Sequence, residues 1–174
     1  GTSDYDRLSP LGCRQSAAIG EVFRDCGIRF DAAYSGELKR QQKTASIVLE
    51  SQPSAVSIEI DSRLNEIETD QMFEILVPQL AKTSSVLGPL VEKGKQSSKD
   101  FQKALEIVFR HWVVEDPDIP GLHSWADYSG NVHNAVAEVV AREGSGKTVA
   151  VFTSGGTIAT IVAHVLGITG DKVY

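Results

Sequence analysis

The chain of 174 residues holds one methionine, two tryptophans, six prolines and two cysteines. Two cysteines cannot build a disulfide scaffold. Cys13 and Cys26 lie thirteen residues apart on one expected helix, about 20 Å at ~1.5 Å per residue. That exceeds the reach of a disulfide, so free and mostly buried thiols are expected, in a reducing compartment such as the cytoplasm. No Cys or His pair stands at metal-ligand spacing, so no metal is expected. No apolar run approaches the ~20 residues of a membrane span. Basic residues are outnumbered, 17 against 23, giving a net charge of −6. That balance speaks against nucleic acid or an anionic membrane as partner, but not against a small anionic substrate. There is no internal repeat and no low-complexity segment.

What is present is alternation. Ser9-Pro10 reads as a helix start, with an apolar stripe through Leu11, Ile19, Val22, Phe23 and Cys26, and Gly27 as its stop. A strand is expected at 30–34, a helix at 38–49, a strand at 56–60 and a polar loop at 61–70. Further helices are expected at 72–80 (broken near Pro78), 101–112 and 124–142. A strand at 148–153 and a helix at 157–166 complete the series. Ser124 and Asp127 resemble a capping box. Helices alternating with strands imply a mainly parallel sheet covered on both faces, a three-layer α/β/α sandwich. One domain spanning 1–174, with a helical insertion at about 70–121, is the simplest partition.

The most telling stretch is Thr148 to Ile158, an apolar run that breaks at Gly155-Gly156 and continues as a helix. A glycine-opened helix N-terminus presents free backbone N–H groups and suits a phosphate. A tight connection without ligand is the alternative. Gly144-Ser-Gly-Lys-Thr148 mimics a P-loop, but Ala141 stands where the first glycine belongs, and a strand follows where a helix should. In parallel sheets ligands bind beyond the C-terminal strand ends. Two more polar features fall there. Arg40, in the first turn after the first strand, could grip phosphate oxygens or lie solvated on the surface. Glu66, after the second strand, could protonate a leaving oxygen or be an ordinary loop carboxylate.

Four segments, in order and covering nearly the whole chain, resemble the histidine phosphatase, or phosphoglycerate mutase-like, superfamily. Asp6-Arg-Leu-Ser-Pro-Leu-Gly12 through Gln15 is similar to its first helix. Tyr34-Ser-Gly-Glu-Leu-Lys-Arg40 through Thr44-Ala45 is similar to the motif S-x-L-x-R-A-x-x-T-A. Arg63-Leu-Asn-Glu66 is similar to its acidic motif, and Phe152 to Ile158 to V-T/S-H-G-G-x-I. The resemblance implies a phosphoglycerate mutase-like fold and hydrolysis of a phosphate monoester through phosphohistidine, with no cofactor. It carries Arg40 over as a phosphoryl-holding arginine, Glu66 as general acid, and Gly155 and Gly156 as substrate-binding turn.

Two departures from the pattern bear on the chemistry. The 174 residues contain no Arg-His-Gly triplet, the motif that carries the family's nucleophile. The resemblance therefore implies a nucleophile strand before Gly1, and an edge strand after Tyr174. The second histidine of the family is replaced by Ser154, which can donate a hydrogen bond but carries no charge. The four histidines, His111, His123, His133 and His164, sit on or beside expected helices rather than at strand ends. Ser154 favours a second reading, a weak or inactive phosphate-binding or interaction protein. Phosphoglycerate mutase itself ranks third, because the insertion is short for a substrate-shaped lid.

Overall fold

The computed structural model describes residues 6–168 and residue 172. The flanking strands implied by the resemblance lie outside the described residues. The described chain falls into two compact units, Gly1–Glu66 with Val132–Ile158, and Ile67–Asn131 with Ala159–Tyr174.

The first unit holds the sheet. Helix α1 (Pro10–Asp25) begins where Ser9 accepts the N–H of Gly12, and Pro10 fills its first turn. Gly27, at φ 70°, ends it in the left-handed conformation that glycine adopts without penalty. Strand β1 (Ala32–Ser35), helix α2 (Lys39–Leu49) and strand β2 (Ile58–Ile60) follow, then a short 3-10 turn (Ser62–Leu64). Strand β3 (Val149–Phe152) completes a three-stranded parallel sheet in the order β2-β1-β3. Ala33 pairs with Ile58 on one side and Ala150 on the other. Alternation along β1 divides the core. Ala33 packs with Leu49 of α2 and Ala150, whereas Tyr34 faces Leu64, Ala135 and Val139. The last two belong to helix α6 (Trp125–Glu143), so helices cover both faces, as expected. Helix α7 (Gly155–Leu166) leaves directly from the end of β3.

The second unit is helical: α3 (Thr69–Leu80), α4 (Leu87–Gly94), α5 (Ser98–Glu115) and the first half of α6. Met72, Leu76, Leu87, Ala104, Val108, Phe109 and Trp112 form its core. Ser124 accepts the N–H of Asp127, the expected cap of α6.

Several expectations are corrected. Pro78 does not break α3, because it lies two residues before the helix end and removes only one backbone bond. Residues 87–94 form a helix that propensity hides, since Gly88 and Pro89 are weak formers; burial of Leu87 overrides them. Helix α5 is longer than the expected 101–112, starting at Ser98 with Ser97 as its cap and running to Glu115. The cysteines are free, but Cys13 is only half-buried and Cys26 is exposed. Among the described residues no helix is long and apolar enough to cross a membrane.

Candidate active site

The C-terminal ends of the three parallel strands are tied together by polar side chains. After β1, the Glu37 N–H donates to Asn65 Oδ1 at 2.7 Å. After β2, the carbonyl of Leu64 accepts from Thr153 Oγ1 at 2.6 Å and from Gln41 Nε2 at 3.3 Å. Thr157 Oγ1 donates to the Asn65 carbonyl at 2.8 Å. The Gly156 N–H donates to the Glu66 carboxylate, at 3.1 Å to Oε1 and 3.4 Å to Oε2. Three loops far apart in sequence are thus held in register by hydrogen bonds, all but that of the exposed Glu37 made by half-buried or buried groups.

Within this framework lies a hollow of about 270 Å³ whose lining includes Leu8, Arg40, Thr44, Thr153, Ser154 and Ile158. It is of a size to admit a phosphoryl group, and it lies beside the C-terminal end of β3, where parallel sheets place ligands. The positive group on its wall is Arg40. Helix α2 has no side-chain cap from its own preceding residue, Leu38. Asp6 fills that role instead: its carboxylate accepts the N–H of Lys39 at 2.8 Å and of Arg40 at 3.3 Å, and pairs with the Arg40 guanidinium at 3.1 Å. Partial burial works to raise the Asp6 carboxyl, but the two backbone N–H groups and the guanidinium outweigh it and hold it below the usual carboxylate range.

A second, larger hollow of about 520 Å³ lies over the other face of the sheet, lined by Tyr34, Asp61, Arg63, Glu138 and Arg142 among others. Its charges are mutually engaged. Arg63 pairs with both Asp61 and Glu138 at 2.7 Å, and Arg142 pairs with Glu59 while lying 5.1 Å over the Tyr34 ring. The hydrogen bond from Arg63 lowers Asp61 and Glu138, and these carboxylates raise Arg63. Burial, then the bond to Glu143, pushes the Tyr34 hydroxyl above its ordinary value.

Of the residues singled out in the sequence, Arg40 and Ser154 share the smaller hollow, while Glu66 and Gly156 bond to each other beside it. Gly155 and Gly156 do not line the hollow; they form the first residues of α7 rather than a turn before it. No histidine lines either hollow. Among the described residues no group of three His, Cys, Asp or Glu could hold a metal ion. Two residues of this region were missed. Asp6 acts across 34 residues of sequence, which no local pattern reports. Gln41 had a readable signal: it shares the inner helical face with Ala45 and Val48, an odd place for an amide.

The chain resembles known proteins along nearly its whole length. The family model of the histidine phosphatase superfamily (branch 1) matches residues 1–83 and 90–174. A 2,3-bisphosphoglycerate-dependent phosphoglycerate mutase of Streptococcus pneumoniae is 25% identical over 197 residues, covering 99% of this chain and 78% of its own length. A mycobacterial glucosyl-3-phosphoglycerate phosphatase solved with inorganic phosphate superimposes with a TM-score of 0.64 at 22% identity, covering 95% of this chain and 72% of that one. A putative alpha-ribazole-5'-P phosphatase of Escherichia coli K-12 gives a TM-score of 0.62 at 16% identity, covering 95% and 70%. With its strand-end network and its motifs in order, the chain belongs to the histidine phosphatase superfamily.

Proposed function

We propose that this protein hydrolyses small phosphate monoesters through a phosphohistidine intermediate, the nucleophilic histidine lying outside residues 1–174. The observation that carries this reading is the hollow shared by Arg40 and Ser154 at the end of the parallel sheet. The histidine nitrogen attacks phosphorus, the ester oxygen departs with a proton from Glu66, and water then cleaves the phosphorus–nitrogen bond. Arg40, oriented by Asp6, holds oxygens of the transferred group. Gly155 and Gly156 open the last helix beside it and contribute the positive end of its dipole. Such chemistry asks for positioning and charge stabilisation rather than a metal or organic cofactor. Relatives named as phosphatases, one of them solved with inorganic phosphate, support the substrate class.

Turnover of p-nitrophenyl phosphate by the full-length protein tests this. Loss of turnover in Arg40→Ala is expected; unchanged turnover would refute the role of Arg40. Ser154 favours a second reading, a phosphate-binding protein with little or no turnover. Loss of one oxyanion donor elsewhere costs about 10²–10³ in rate. A Ser154→His variant that accelerates hydrolysis keeps the enzyme reading, and a wild type that binds phosphate without turnover selects the second one. The mutase relatives leave mutase activity as the third reading, tested by phosphoryl exchange on a phosphoglycerate.

A further inference from the structure

We infer that Gln41 is a positioning residue of the anion site, fixing the Ser154 hydroxyl as a hydrogen-bond donor into the hollow lined by Arg40. The inference rests on the reading of that hollow as the phosphate site. Gln41 is 3% exposed, on the inner face of α2. Burial of an amide is unfavourable unless its polar atoms are used. One end is used in a directional way. Its nitrogen lies 3.3 Å from the Leu64 carbonyl, which can only accept, and this settles which end of the amide is nitrogen. That same nitrogen lies 2.8 Å from Ser154 Oγ. The serine oxygen is therefore an acceptor towards Gln41, and its single proton is left to point elsewhere. Among the described residues the Ser154 hydroxyl meets no acceptor of its own, and the residue lines the hollow.

The other end of the amide explains a neighbour. Gln41 Oε1 is buried with no hydrogen-bond partner. It occupies the space beside Gly36, where an added Cβ would lie 2.1 Å from it. Gly36 and Gln41 stand at the serine and first alanine of the pattern S-x-L-x-R-A-x-x-T-A, and Ser154 stands at the histidine of V-T/S-H-G-G-x-I. Three departures from the family pattern thus meet at one point. Together they replace a cationic ring by a neutral donor held in place from behind. A hydroxyl does not titrate between pH 5 and 8, so this contact, unlike a histidine, is constant across that range.

The test is calorimetric binding of inorganic vanadate to the full-length protein and its variants, each checked by melting temperature. Ser154→Ala should weaken binding about 2- to 10-fold, the worth of one neutral hydrogen bond. Gln41→Met, which keeps the bulk but not the amide, should weaken it to a similar degree. The double variant should bind no more weakly than Ser154→Ala alone, because both changes remove one contact. Ser154→Thr, which retains the hydroxyl, should restore near-wild-type affinity. Folded Gln41→Met that binds like wild type overturns the inference, as does a double variant whose losses multiply. Should Gln41→Met fail to fold, Gly36→Ala displaces the amide from a residue that does not line the hollow. The same loss is then expected, and unchanged affinity would refute the proposal. Arg40→Ala separates the two levels: if it binds vanadate like wild type, the hollow is not the anion site and both readings fall together. If it loses binding while Gln41→Met does not, only the role of Gln41 falls.

Discussion

The two compact units bury different kinds of side chain. Beside Tyr34, Val48, Leu49 and Leu64, the sheet unit encloses small residues, Ala33, Ala45, Ala135 and Ala150, together with polar ones, Ser16, Ser35, Gln41 and Thr157. The helical unit encloses bulk: Met72, Leu76, Leu87, Phe109 and Trp112. Small residues let strands and helices approach closely, and Gln41 and Thr157 then cross-link the loops at the strand ends. Large apolar residues stabilise by area removed from water and by dense packing. One core therefore ties the strand-end loops in register, while the other chiefly supplies cohesion. The contrast shows why the candidate chemistry lies where the buried hydrogen bonds are.

Four substitutions break or sharpen this contrast. The largest effect is expected from Trp112→Ala, which empties a site 2% exposed and removes a 2.8 Å bond to the His123 carbonyl. Denaturant unfolding should report a loss of about 3–5 kcal/mol. Turnover per folded molecule should change little. Arg40→Ala is the mirror case, with a drop of about 10²–10³ in p-nitrophenyl phosphate turnover and a small change in melting temperature. An Arg40→Ala protein that is mainly destabilised would make the sheet unit another packing core. Gly36→Ala should cost about 1–3 kcal/mol of stability by overpacking, since its Cβ would also lie 2.8 Å from the Leu64 carbonyl oxygen. Asp6→Asn is the gentlest. The Asp6 pKa is depressed in the folded protein, so its contribution is complete above the unfolded value of about 4 and is lost as pH falls through the lower folded value. The difference in melting temperature between Asp6→Asn and wild type should be flat from pH 5 to 8 and shrink below about pH 4. A difference that grows on acidification would contradict the Asp6–Arg40 pairing.

The first half of the fold was legible because its signals are local. Ser9-Pro10 and Gly27 bracket α1 in sequence as they do in space. Helix α4 was hidden because burial of Leu87 outweighs the poor propensity of Gly88 and Pro89, and burial cannot be read from eight residues. For the candidate site, the strand-end rule led to Arg40, Glu66 and the Gly155-Gly156 turn, and the family resemblance to Ser154. It could not report that Glu66 meets Gly156 across 90 residues, or that Asp6 reaches Arg40 across 34. Such pairings follow from the crossing order β2-β1-β3, which alternation alone leaves undetermined.

The crowding between Gly36 and Gln41 couples what the two positions can hold. A side chain added at 36 would meet Gln41 Oε1 at 2.1 Å, so the wild type accepts it only by displacing that amide. Trimming residue 41 removes the severest overlap and leaves the 2.8 Å approaches to Asn65 Oδ1 and to the backbone carbonyl of Leu64, which must still give way. A Gln41→Ala background should therefore accept Gly36→Ser with less loss of stability than the wild type does.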